Sequence, residues 1–276
     1  MQRWEFDDIA LTYELHERGG PPVLLVHARP FVAWYGPLIE QLTDFSTLSF
    51  RRDLRKLAGR PYRHLTVAED AAIAARLMEH VGWPQAHVVG HSYGALVALQ
   101  MAVDTPERVG SVALLEPAAR GVSSAPAVVA ALQAIIGAYR SGDTEGALDG
   151  FLCHVCGAGY RSVLDTALPG AFGEALAAAD LFFQAELPAV GQFSFGPDAA
   201  ARVPQPVLNV LGARSAQRFV EGSELVQSWF PGAERLSVPA AGHFLMVQNP
   251  TAVADGLRDY FTRHPVSGVV IQTAGS

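Results

Sequence analysis

The sequence predicts an α/β protein, a mostly parallel sheet flanked by helices and interrupted once by a helical insertion. Two observations carry that expectation. Short apolar, β-branched runs alternate with helix-patterned stretches along most of the chain, as βα units require. The alternation then fails once, between residues 116 and 206, where helical pattern continues without a clear strand.

Taken in order, residues 4–17 alternate well enough for an edge hairpin, closed by Gly19-Gly20-Pro21-Pro22. Strands follow at VLLVH (23–27), STLSF (46–50), AHVVG (86–90), SVALLE (111–116), PVLNVL (206–211) and RLSVP (235–239). Residues 66–82 read as a helix, with Thr66 as N-cap, Glu69 three residues on and Gly82 as the stop. Residues 93–104 and 250–264 are helix-like too, the second entered through Asn249-Pro250 and stopped by Pro265. Gly142, Gly157, Pro169, Gly170 and Pro188 cut the long strandless stretch into short helices. The expected organisation is a core of residues 1–117 and 206–265, a helical cap of 118–205, and a loosely patterned tail of 266–276.

Bulk composition narrows the function. The chain has 276 residues, 50% of them hydrophobic and 17% charged, with a net charge of −7. Such a chain buries a substantial core and lies outside the composition of disorder. An acidic balance leaves no electrostatic footprint for nucleic acid or an anionic membrane. The longest apolar neighbourhood, 127–139, contains Gln133 and falls short of a membrane span. The opening MQRWEFDDIALTYEL carries acidic residues where a secretory leader needs a basic patch and an apolar run. A soluble, cytoplasmic protein is expected.

The strongest local signal is Gly90-His91-Ser92-Tyr93-Gly94, a G-x-S-x-G between a β run and a helix. A serine on a sharp strand-to-helix turn adopts a strained backbone, and neighbours without Cβ let chain and substrate come close. The helix that follows points its N-terminus at the site, where an oxyanion would form in acyl transfer. Alone the pattern is weak; AHVVG before it and ALVALQMA after it supply the context. The segment AHVVGHSYGALVALQMAVDTPERVGSVALLEP resembles the centre of the α/β-hydrolase superfamily, and the likeness runs from VLLVH to AGHFLMVQNP.

That resemblance implies a nucleophile at Ser92 and a general base at His243, in Ala240-Ala241-Gly242-His243-Phe244. The other histidines sit in polar, strand or packing contexts; His27 is expected under the loop after the first central strand, and His91 beside the elbow. The acid departs from the pattern. Most relatives carry an aspartate three residues after the glycine ending strand seven, and here that turn reads Gly212-Ala213-Arg214-Ser215. Two readings stand: catalysis is lost, or the acid sits elsewhere. Glu116 closes SVALLE at the carboxyl edge of the sheet, beside the elbow, and Leu114-Leu115-Glu116-Pro117 is similar to relatives that place the acid after strand six, the zearalenone-type lactone hydrolases among them. Glu116 is the expected acid; a strand-end carboxylate near solvent is the alternative.

The resemblance also implies an oxyanion hole from the Tyr93 amide and the Arg29 amide in His27-Ala28-Arg29-Pro30, where Ala28 replaces the usual glycine. Phe31, Trp34, Phe182, Phe183, Phe244 and Leu245 are expected to wall an apolar substrate cleft. Cys153-His154-Val155-Cys156 lacks a second ligand pair and is read as two small apolar packing residues. The run Arg51 to Lys56 is read as a solvated loop. No phosphate-binding glycine motif occurs, so neither cofactor nor metal is expected.

These readings converge on a cofactor-free serine hydrolase of a hydrophobic small-molecule ester or lactone. The alternatives are a C–C bond hydrolase with the same triad and a non-catalytic ligand-binding protein of the same fold. No nucleic-acid or membrane partner is expected, and a homodimer is the one protein partner left open.

Overall fold

The computed structural model describes residues 1–7, 9–53 and 66–266. Its strands are β1 (Gln2–Phe6), β2 (Ile9–His16), β3 (Pro22–Val26), β4 (Ser46–Asp53), β5 (Ala86–His91), β6 (Val109–Leu115), β7 (Val207–Gly212) and β8 (Glu234–Val238). They form one sheet in the order β1-β2-β4-β3-β5-β6-β7-β8. The β1–β2 and β2–β4 pairings are antiparallel and every later one is parallel. The unbroken apolar runs follow from position: every residue of β3 and β5 is buried, as strands covered on both faces must be.

Three helices follow the early strands: α1 (Gly36–Gln41), α2 (Val67–His80) and α3 (Tyr93–Asp104). The expected capping box opens α2, with Thr66 Oγ1 accepting from Glu69 N at 3.1 Å and Glu69 Oε2 accepting from Thr66 N at 2.9 Å. Between β6 and β7 lie α4 (Ala125–Arg140), α5 (Thr144–Cys156), α6 (Tyr160–Ala167), α7 (Ala171–Ala177), α8 (Ala179–Leu181), a π-helical turn over Phe182–Glu186, α9 (Leu187–Gln192) and α10 (Pro197–Ala200). The chain closes with α11 (Gln217–Trp229), α12 (Leu245–Gln248) and α13 (Pro250–Arg263), the last capped by Asn249 Oδ1 on Ala252 N at 3.2 Å.

Two elements differ from expectation. The start of the basic run is strand, because β2 pairs with β4 as far as Asp53 and so lengthens it; residues 54–56 lie outside the described residues, as do 267–276 of the tail. Helix α11 was not expected. Its N-cap is Ala216, with no side-chain cap and no acidic first turn, so the usual start signals are missing. Among the described residues, no helix is long and apolar enough to cross a membrane.

Candidate active site

Ser92 sits between β5 and α3 at φ 53°, ψ −112°, a strained conformation for a residue with a Cβ. The neighbouring glycines are sterically required: a Cβ on Gly90 would collide with the Gly94 carbonyl, and one on Gly94 with the Val26 carbonyl. The turn is tied to the next strand end, with Ser92 N donating to Leu115 O at 3.0 Å and Ala118 N to Ser92 O at 3.1 Å.

Glu116 follows β6 directly and also has a positive φ, 45°. Its N–H donates to Val210 O at 3.1 Å, which fixes it against β7. Oε1 accepts from Gly212 N at 2.7 Å and from the Ser215 hydroxyl. Oε2 lies 2.8 Å from His243 Nδ1. The carboxylate is 1% exposed and the histidine 4%, which argues against a solvated strand end. Burial pushes the Glu116 carboxyl up to about 7, opposed by the Ser215 and Gly212 hydrogen bonds and by the Arg218 charge. Burial, and then Arg218, hold His243 well below the ordinary histidine range.

Three histidines form a buried chain beneath the elbow. His91 Nε2 lies 2.8 Å from the His243 carbonyl, and His91 Nδ1 lies 2.8 Å from His27 Nε2. A carbonyl only accepts, so His91 carries its proton on Nε2. Burial keeps His91 neutral, so its Nδ1 accepts from His27 Nε2–H. The chain thereby pins the backbone that carries His243. The sequence marks His27 and His91 only as packing groups, and nothing in one sequence pairs them.

The imidazole of His243 also lies on the ring of Phe219, with centroids 3.9 Å apart and planes 8° from parallel. Phe219 belongs to α11, so the unexpected helix supplies the surface that orients the ring. Ser92 and His243 open onto a cavity of about 490 Å³. Of the expected wall residues, Phe31, Trp34 and Phe182 line it. Phe183, Phe244 and Leu245 do not. Phe183 stacks on Tyr139 at 4.6 Å, Phe244 backs Trp34 at 4.3 Å, and Leu245 is fully buried in the core. The wall they were expected to form comes instead from α4, whose Val128, Val129, Leu132 and Ile136 face the cavity. That explains how so apolar a helix has no buried residue.

Arg29 departs from expectation too. Its backbone N–H donates to both carboxylate oxygens of Glu186, at 3.0 and 3.1 Å, and Arg29 does not line the cavity. Glu186 comes from the π-helical turn and is 1% exposed, so this contact joins the inserted helices to the loop after β3. Ala28 lines the cavity next to Ser92 and Tyr93. The two cysteines of α5 are free, Cys156 half-buried and Cys153 exposed, so only the first packs as expected.

A family model described as alpha/beta hydrolase fold matches residues 21–146. A 56-residue stretch, 20% of this chain, is 54% identical to the dihydrolipoyllysine-residue acetyltransferase component of the acetoin cleaving system of Cupriavidus necator, of which it spans 15%. Another stretch of 91 residues is 32% identical to a 2-hydroxy-6-oxononadienedioate/2-hydroxy-6-oxononatrienedioate hydrolase of a Pseudomonas species and covers 32% of each chain. These matches span less than a third of either curated relative. Over the whole fold, the enol-lactonase of Burkholderia xenovorans LB400 superposes with a TM-score of 0.80 at 17% identity, covering 95% of this chain and all of that one. At that identity the likeness shows the fold, which is the α/β-hydrolase fold.

Proposed function

We propose that this chain, a member of the α/β-hydrolase superfamily, is a serine hydrolase of a carboxylic ester or lactone. The observation that carries the reading is the buried 2.8 Å contact between Glu116 Oε2 and His243 Nδ1, in a histidine that shares its cavity with Ser92. Ser92 Oγ attacks the carbonyl carbon as His243 Nε2 takes the hydroxyl proton. Glu116 holds the other ring nitrogen and stabilises the imidazolium. The imidazolium then returns its proton to the departing alkoxide, and the acyl group remains on Ser92. Water, deprotonated by the same imidazole, frees the acid and restores the serine.

The developing oxyanion is met by the Tyr93 amide at the start of α3. In this conformation the Arg29 amide is given to Glu186, so the loop adds Arg29 as a second donor only when that carboxylate withdraws. Residues 118–205 act as a cap over the cavity, whose volume suits a ligand of moderate size. The test is a fluorophosphonate probe with mass-spectrometric mapping. One adduct on Ser92, absent from Ser92→Ala, is expected. A folded protein that takes no adduct refutes the reading and leaves a ligand-binding role.

A further inference from the structure

The cavity is apolar over most of its wall, yet its charged lining is one-sided. Arg120 and Arg218 line it, and among the described residues no aspartate or glutamate does. In a chain of net charge −7, a pocket lined by two arginines and no carboxylate sets a local positive field that favours negative charge. The two differ in setting. Arg120 is exposed at the rim, where one guanidinium nitrogen donates to the Gly191 carbonyl.

Arg218 is the built element. It is half-buried on the first turn of α11. Nη2 donates to the His154 carbonyl at 2.7 Å, and Nη1 lies 2.5 Å from His154 Nε2. Burial and Arg218 itself keep His154 below the ordinary histidine range, so its ring nitrogen accepts. Those two contacts leave guanidinium N–H groups for a ligand. The guanidinium sits 4.5 Å from the centre of the Phe219 ring, the ring on which His243 is stacked. A positive group fixed at three points therefore stands one aromatic ring away from the base, at the wall of a cavity that also takes apolar chain.

We infer that the preferred substrate is an ester or lactone bearing a second, anionic group, a carboxylate held by Arg218 with Arg120 at the rim, and an apolar remainder against α4. This rests on the serine-hydrolase reading and adds an anionic group to the hydrophobic ester or lactone expected from the aromatic residues. An arginine–carboxylate contact of this kind is charge-assisted and partly shielded, and its loss costs about 10- to 100-fold in affinity.

Two matched ester pairs test it. Mono-p-nitrophenyl adipate against p-nitrophenyl hexanoate places the charge on the acyl side. The pair 4-acetoxybenzoate and phenyl acetate places it on the leaving group. The anionic member of at least one pair is expected to have the higher kcat/KM by about tenfold, Arg218→Gln to abolish that ratio and Arg218→Lys to retain part of it. Calorimetry on the Ser92→Ala protein is the independent arm: octanoate is expected to bind at least tenfold tighter than 1-octanol, and Arg218→Gln to remove the difference. No anionic preference in either pair, a preference that survives Arg218→Gln, or equal binding of octanoate and octanol overturns the proposal. Should no ester turn over and no probe label Ser92 while octanoate still binds through Arg218, the hydrolase reading fails and the anion site stands.

Discussion

Replacing Glu116 by glutamine changes one charge and almost no volume, and two effects of that change add. When the proposed proton transfer turns His243 into an imidazolium, it faces the Glu116 carboxylate at 2.8 Å between nitrogen and oxygen, with the charge centres about 4 Å apart. At an effective dielectric constant of about 20 that attraction is about 4 kcal/mol, or about three decades in rate at 1.36 kcal/mol per decade. The second effect is tautomeric. Gly212 N and Ser215 Oγ both donate to Oε1, so a glutamine places its carbonyl oxygen there and its NH₂ against His243 Nδ1. The imidazole answers by moving its proton to Nε2, where it can no longer accept from Ser92. Glu116→Gln is therefore expected to lower kcat on p-nitrophenyl hexanoate by about 10³-fold or more, with an unchanged circular dichroism spectrum. A folded variant within about tenfold of wild-type kcat refutes the assignment of the acid.

The same contacts set a pH profile. Burial raises the Glu116 carboxyl to about 7, and only the carboxylate form stabilises the imidazolium, so kcat/KM should fall as the pH drops through about 7. Ser215→Ala removes a donor that favours the carboxylate and should move that limb to higher pH; a shift to lower pH would contradict the role given to Ser215. The elbow makes a stability prediction. Gly94→Ala drives a Cβ into the Val26 carbonyl and should cost about 1–3 kcal/mol in chemical denaturation. Gly137→Ala, on α4 with open space around it, should stabilise by about 0.5–1 kcal/mol.

What was legible in the sequence is what short-range pattern encodes. Continuous apolar runs announced β3, β5 and β6 because those strands are covered on both faces, and Thr66 with Glu69 announced α2 because a capping box is four residues long. The local settings of Ser92 and His243, and the place of Glu116 at a strand end, marked them as candidates, and the structure brings Glu116 to His243 and opens Ser92 and His243 onto one cavity. The rest depends on contacts between distant segments. Arg218 and Phe219 sit on a helix with no capping signal, and their value comes from His154 and His243. His27, His91 and His243 look unrelated until the sheet lays β3 beside β5. The aromatic residues misled in part: Phe183 and Phe244 have the composition of a cleft wall, but burial alone cannot tell a wall from the layer behind it. The partner that Arg29 N–H takes in this conformation was not legible either, since the carboxylate lies 157 residues on.

Ser215 stands where the aspartate is missing, and in the structure its hydroxyl donates to the Glu116 carboxylate. Leu115 pairs with Val210 in the β6–β7 register, so the residue after β6 and the turn after β7 approach the same imidazole. On the proposed reading a carboxylate at either place would face the imidazole, and two together would crowd each other. Ser215 Oγ is already hydrogen-bonded to Glu116 Oε1, and an aspartate there would press one carboxylate on another, forcing one of them to keep a proton. The effect of Ser215→Asp should then reverse sign with its partner. With Glu116 present it should raise the pH limb further and lower turnover at pH 7. In a Glu116→Ala background, where the crowded carboxylate is gone, the same substitution should raise turnover at least tenfold over Glu116→Ala alone, because the new carboxylate then faces the imidazole from the β7 side. The four proteins, assayed on one ester at pH 7 and pH 8.5, decide it. If Ser215→Asp lowers activity in both backgrounds, Ser215 is merely a hydroxyl that the turn requires; if it raises activity in both, Glu116 is not the group that holds His243 during turnover.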